Sequence, residues 1–193
     1  MKLRDLLTAL AVAAIQCLCA AQPTPPIAAR NMGAAALSGS TAYDFKSSIN
    51  ARQYRIFVSV PPGFDATQRY GVLYVLDGNQ YFGTASEAAA RQSSLKTIRP
   101  IIVVAVGYQS NEFSVAIRER LFDLTHNPSQ DALPYKTGGG AAFQRVLLEE
   151  VRPFIVSSFP VDLSAEALWG HSLGGLFALH VIDLPGFFGP IST

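Results

Sequence analysis

Cysteine is almost missing from this chain of 193 residues, and the two present, Cys17 and Cys19, fall within the first 21. Beyond that point no disulfide or thiolate chemistry is available, so a folded domain has to rest on its apolar core. Histidine is nearly as scarce. His126, His171 and His180 are scattered singly and give no metal-ligand spacing, so no metal and no cofactor are expected. An excess of charge is also lacking. Lys2 and Arg4 against Asp5 account for the whole formal net charge of +1, so the chain from Gln22 onward is formally neutral and offers nothing to nucleic acid or an anionic surface. Nor is there an apolar run of the ~20 residues that a spanning helix requires. No feature marks a protein partner.

What is present starts with a leader. Lys2 and Arg4, an apolar stretch from Leu6 to Ile15, and the small residues Ala20 and Ala21 after Cys19 predict a signal peptide over residues 1–21, with export to the periplasm or beyond. A lipidated cysteine fits less well, because Gln16 precedes Cys17 and Leu18 precedes Cys19. Residues 22–45 are rich in Ala, Pro, Gly and Ser and read as a flexible linker, leaving one domain over residues 46–193.

Within that domain, short apolar runs alternate with helical patterns. Gln53 to Val60 is β-branched and aromatic and stops at Pro61-Pro62-Gly63, as an early strand near a sheet edge would. Tyr70 to Leu76 and Ile101 to Val106 are continuously apolar, as strands buried on both faces are. An Ala-rich helix is expected between them, from about Tyr81 to Ile98. Gly107 to Gly140 is polar and long enough to suggest a binding loop or lid. A helix from Ala141 to about Ser157 carries Phe143, Val146, Leu147, Val151, Phe154 and Ile155 at helical spacing, with Pro153 expected to loosen its last turn. Ala165 to Trp169 gives a short strand and Leu173 to Ile182 a final helix. The pattern implies βαβ units and a doubly wound, mainly parallel α/β sheet.

The sharpest chemical signal lies between that last strand and helix, in Gly170-His171-Ser172-Leu173-Gly174. G-x-S-x-G presents a serine nucleophile on a sharp strand-to-helix turn, where glycine two residues to either side makes room. Such a serine needs a histidine base and a carboxylate, which in this arrangement follow it in the chain. The candidates after Ser172 are His180 and Asp183. A helical rise of ~1.5 Å per residue puts His180 about 12 Å from Ser172, far beyond hydrogen-bond reach. His171 diverges from its neighbour, and His126 reads as a solvated loop residue. Trp169 reads as a core residue beneath the turn, and Gly138 to Gly140 lacks the Gly-Lys-Ser/Thr ending of a phosphate loop.

Several segments together resemble the esterase D-type group of α/β-hydrolases, which includes siderophore ester hydrolases acting on enterobactin-like trilactones. They are Tyr-Arg-Ile-Phe-Val-Ser-Val-Pro at 54–61, Val-Leu-Tyr-Val-Leu-Asp-Gly-Asn at 72–79 and Ile-Val-Val-Ala-Val-Gly-Tyr at 102–108. Arg120 with Asp123-Leu124-Thr125, Gly-Gly-Gly-Ala-Ala-Phe at 138–143, Glu149 to Pro153, and Gly170 to Leu179 follow in order. The resemblance implies ester hydrolysis of a small-molecule substrate, with Ser172 as nucleophile and an oxyanion site from the backbone N–H of Leu173 plus one from Gly78-Asn79. Arg120, Asp123 and His171 become candidates for substrate contact, with Arg118 beside them. The later strands, acid and histidine of the group are absent. The sheet is therefore expected to be incomplete at its C-terminal end, and the alternative to an active esterase is a truncated, non-catalytic product or binding remnant.

Overall fold

The computed structural model describes residues 36–131 and 134–181. The expected signal peptide, most of the expected linker, and Ile182 and Asp183 lie outside the described residues. Five strands form one sheet in the order β1-β2-β4-β3-β5: β1 Ser40–Lys46, β2 Gln53–Ser59, β3 Tyr70–Val75, β4 Ile101–Gly107 and β5 Val161–Trp169. β3 runs parallel to both β4 and β5, whereas β2 is antiparallel to β4 and to β1. Strand β1 overturns part of the linker expectation. Residues 40–45 are ordered by pairing with β2, and Arg55 on β2 holds Asp44 with two hydrogen bonds of 2.6 and 2.7 Å. That pairing also moves β2 one place in from the edge.

The continuous apolar runs become strands with a core on each face. Ile102, Val104 and Val106 of β4 join Val72, Tyr74 and Leu76 on one side, while Val103 and Ala105 join Val75 on the other, the period-two alternation of a strand. The second face is covered by α1, Gly78–Ser94, through Ala89 and the half-buried Tyr81, Phe82 and Ala85, with Phe82 stacked on Phe57 at 5.2 Å. α1 starts three residues earlier than its apolar pattern suggests and so takes Gly78 and Asn79 into its first turn.

The first face is covered by a long helical segment of three parts: α2 is elsewhere, at Phe113–Asp123, and the cover consists of α3 Gly140–Arg145, a π-helical turn Val146–Val151, and α4 Arg152–Ser158. Phe143, Val146, Leu147, Val151 and Ile155 face the sheet, each worth roughly 1.5–3 kcal/mol when fully buried. Pro153 does not loosen the last turn as expected. The Arg152 N–H already bonds the carbonyl of Leu147, five residues back, so the register has shifted before the proline arrives without a donor. α2 also corrects the reading of 107–140 as one long loop.

Strand β5 is longer than its apolar core because residues around Ala165 bulge against β3. Tyr70 faces Val161, yet Val72 already faces Glu166. Gly71 makes this possible: a Cβ there would sit 2.8 Å from the Ala165 carbonyl oxygen. α5, Leu173–Val181, returns over the first face and buries Phe177 and Val181. Among the described residues no helix is long and apolar enough to cross a membrane.

Candidate active site

Chain geometry delivers Ser172 to the carboxyl ends of the parallel strands. β5 ends at Trp169, whose carbonyl accepts the N–H of Leu76 at the end of β3 at 3.0 Å, so the two strand ends are fixed side by side. The chain then reverses into α5 through Ser172, whose φ of 55° lies in the left-handed region. A non-glycine residue held there signals a turn that its surroundings over-determine. Gly170 is what allows it, since a Cβ on Gly170 would overlap the backbone of Gly174. Ser172 is exposed at the start of α5. Its carbonyl accepts from Leu176 and that of His171 from Gly174, leaving the Leu173 N–H with no acceptor among the described residues.

The first turn of α1 stands beside this elbow. Asp77 precedes it with φ 53° and ψ 49°, also left-handed, and its carbonyl takes the N–H groups of Gln80 and Tyr81 at 2.9 and 3.2 Å. The N–H groups of Gly78 and Asn79 have no acceptor among the described residues, as first-turn amides do not without a cap. Gly78 is buried against β4, where a Cβ would meet the backbone of Val106 and Gly107 at 3.0–3.1 Å. The Asn79 carboxamide bridges to β4: its oxygen accepts the Tyr108 N–H at 2.7 Å, and its nitrogen donates to the Tyr108 carbonyl at 2.9 Å and to Asn111 at 2.8 Å. That side chain is used up in anchoring α1, so only its backbone can serve a ligand.

The charged candidates are placed otherwise than expected. Arg120 does not face open solvent: Nε and Nη2 donate to the two oxygens of Asp77 at 3.0 Å each, and this bonding raises its pKa against the effect of burial. Asp123 is corrected outright. It has no exposed surface, lies 3.1 Å from Arg52 Nε, and burial lifts its pKa to about 7 against the pull of Arg52. A group without exposed surface does not contact substrate. Arg118 is exposed and, among the described residues, reaches only Glu119, at 3.5 Å. Arg52, unnoticed in the sequence, also bonds Glu119 and lies 4.7 Å over the Phe122 ring, tying β2 to α2.

The histidines do not supply a base. His171 is exposed, and its Nδ1 is paired with the Tyr81 hydroxyl at 3.0 Å. His126 is half-buried rather than solvated: it stacks on Phe177 at 5.4 Å and on His180 at 3.6 Å between ring centroids. Burial first, and His180 second, lower its pKa. Among the described residues no hydrogen bond links the Ser172 hydroxyl to a histidine. Trp169 corrects another expectation, being 41% exposed and edge-on to Tyr81 at 5.0 Å instead of buried beneath the turn. With Tyr81, Leu73, Ala85, Ala88 and Ile101 it lines an apolar cleft of about 310 Å³ between α1 and the sheet. Asp77 and Tyr81 are the site residues missed in the sequence. Asp77-Gly78 at a strand end was the available signal, since Asp tolerates left-handed backbone there.

Comparison with known proteins places this geometry in context. The family described as "Putative esterase" matches residues 47–192. The ferri-bacillibactin esterase BesA of Bacillus subtilis is 34% identical over 142 residues, covering 68% of this chain and 48% of that protein. Among solved structures, the BES protein from Bacillus cereus superposes with a TM-score of 0.72 at 32% identity, over 82% of this chain and 63% of that one. Siderophore hydrolase EstB from Aspergillus nidulans gives 0.69 at 34% identity, over 82% and 57%. The chain spans about half the length of the curated relatives it matches.

Proposed function

Because the chain belongs to the Esterase family, in the siderophore esterase group of the α/β-hydrolases, we propose that it is the nucleophile-bearing part of an exported serine hydrolase acting on siderophore esters. The observation that carries this reading is the left-handed, exposed Ser172 with free backbone amides on two helix starts beside it.

In the proposed reaction the Ser172 Oγ attacks the ester carbonyl carbon and its proton passes to a histidine that is none of His126, His171 and His180 and so comes from further chain of the kind the longer relatives have. The carbonyl oxygen, now an anion, takes hydrogen bonds from the Leu173 N–H and from the Asn79 or Gly78 N–H. One such donor is worth ~10²–10³ in rate, because it is aimed before the charge develops and the positive ends of α5 and α1 add to it. Collapse breaks the C–O bond, the histidine returns the proton to the leaving alcohol, and water cleaves the acyl-serine by the same route. The exposed His171 and Trp169, with the half-buried Tyr81 in contact with both, form the rim against which the acyl or alcohol group packs. Arg120 makes no substrate contact in this reaction, since its side chain is 14% exposed and its Nε and Nη2 are turned onto Asp77.

A second reading, a non-catalytic binding product, is favoured by one observation: no described histidine reaches Ser172. A fluorophosphonate probe applied to the protein extended to its relatives' length separates the two. Labelling confined to Ser172 and lost in Ser172→Ala supports the esterase, and a protein that binds a catecholate trilactone without ever forming that adduct supports the other.

A further inference from the structure

Asp77 occupies the cap position of α1 without capping it. An aspartate there ordinarily turns its carboxylate onto the N–H of the second or third helical residue. Here the backbone is left-handed and no side-chain cap bond forms. Both carboxylate oxygens go instead to Arg120, which reaches across from α2 in a nearly dry pair, the side chains being 4% and 14% exposed. The carboxylate also borders the elbow helix: its Oδ2 lies 3.4 Å from the position a Cβ on Gly174 would take. A negative group is thus held within a few ångströms of both helix starts, yet is turned away from the unpartnered amides of Gly78 and Asn79.

We propose that Arg120 is a positioning residue that keeps the Asp77 carboxylate off the oxyanion site, so that the Gly78 and Asn79 amides stay open to a substrate oxygen. This rests on Ser172 being the nucleophile of an esterase. The physical reason is competition. Free amides at a helix start attract the nearest anion, and a left-handed aspartate released from its clamp gains by relaxing toward ordinary cap geometry. A carboxylate settled there fills the donors and repels the charge that develops on the ester oxygen. The fork of Arg120 is suited to prevent this, because two parallel bonds fix the orientation of the carboxylate as well as its distance.

Variants of the two residues separate this role from a purely structural one. The readouts, taken on the protein extended to its relatives' length so that the base is present, are the rate of Ser172 labelling by a fluorophosphonate and kcat and KM for p-nitrophenyl butyrate. Arg120→Gln is expected to lower kcat and labelling about 100-fold, the scale of a lost oxyanion donor, with KM changed less than about threefold. Adding Asp77→Asn to it removes the competing charge and is expected to restore at least about tenfold. A double variant as slow as Arg120→Gln, or slower, overturns the proposal, and so does a rescue of rate that only follows recovered thermal stability, because relieving a buried unpaired charge also repairs a merely structural pair. If Arg120→Gln does not fold, Asp77→Asn alone decides: a loss under about tenfold agrees with competition, and a loss near 100-fold contradicts it. An extended wild type that is inert to the probe brings down the esterase reading itself, whereas an active one with no rescue brings down only the role of Arg120.

Discussion

Ser172 is a polar residue in a conformation that costs about 1–2 kcal/mol for any side chain with a Cβ. The turn persists because the close approach of Gly170 to Gly174 leaves the chain no wider path between β5 and α5. Gly170→Ala is therefore expected to lower stability by roughly 2 kcal/mol or more, read by denaturant melts, and, in the protein extended to its relatives' length, to abolish fluorophosphonate labelling of Ser172, read by mass spectrometry. Asp123 stores a different kind of strain. The fold keeps its proton up to about pH 7, whereas the unfolded chain releases it near pH 4. Its contribution to stability is thus fully present below about pH 4 and is lost as pH rises through 7, by up to about 1.4 kcal/mol per unit. Asp123→Asn removes that dependence. The stability of the wild type relative to the variant should fall between pH 4 and 7 in chemical denaturation, and a constant difference across that range would show that the carboxyl is ionised throughout.

At the scale of elements, the parts that decide the fold are those whose pattern is self-sufficient. β3 and β4 were legible because a strand covered on both faces is apolar at every position, and the elbow was legible because Gly170 answers a steric demand made within five residues, whereas a Cβ on Gly174 would meet only ordinary contacts from 3.4 Å outward. α2 was not legible. Its Phe113 is 73% exposed and its ordering comes from Arg120 to Asp77 and from Arg52 to Glu119 and Asp123, partners 43 to 71 residues distant that no local pattern announces. For the same reason Arg120 and Asp123 looked available for a substrate although both are consumed by the scaffold. β5 shows how such pairs hold an element. Glu166 has no side-chain exposure and is gripped by Arg152 of α4 at 2.7–3.0 Å and by the Tyr74 hydroxyl at 3.1 Å. Arg152→Met leaves that carboxylate buried with a phenol alone, at a cost of about 3 kcal/mol. A denaturant midpoint that barely moves would mean that β5 is held by its pairing with β3 alone.

For the molecule as a whole, the two edges of the sheet are unequally protected. β1 closes one side with the Asp44–Arg55 pair, a charged edge that discourages further pairing. On the other side β5 pairs only with β3 among the described residues, and it leaves Leu163 and Trp169 46% and 41% exposed. α5 adds Leu176 and Leu179, 60% and 69% exposed, so apolar surface and unpaired strand backbone occur together beside the elbow. In a relative of about twice this length, further chain is available to cover such a side. The 193-residue chain by itself is expected to self-associate through it, because unpaired strand edges and exposed aliphatic side chains are both relieved by a second copy. Analytical ultracentrifugation should show sedimentation that rises with concentration in the micromolar range. Leu163→Lys, which places a charge on that edge without touching the core, should shift the chain toward monomer. If the unmodified chain sediments as one monomeric species at every concentration and unfolds cooperatively, β5 is not an open edge in solution and the association argued from it does not occur.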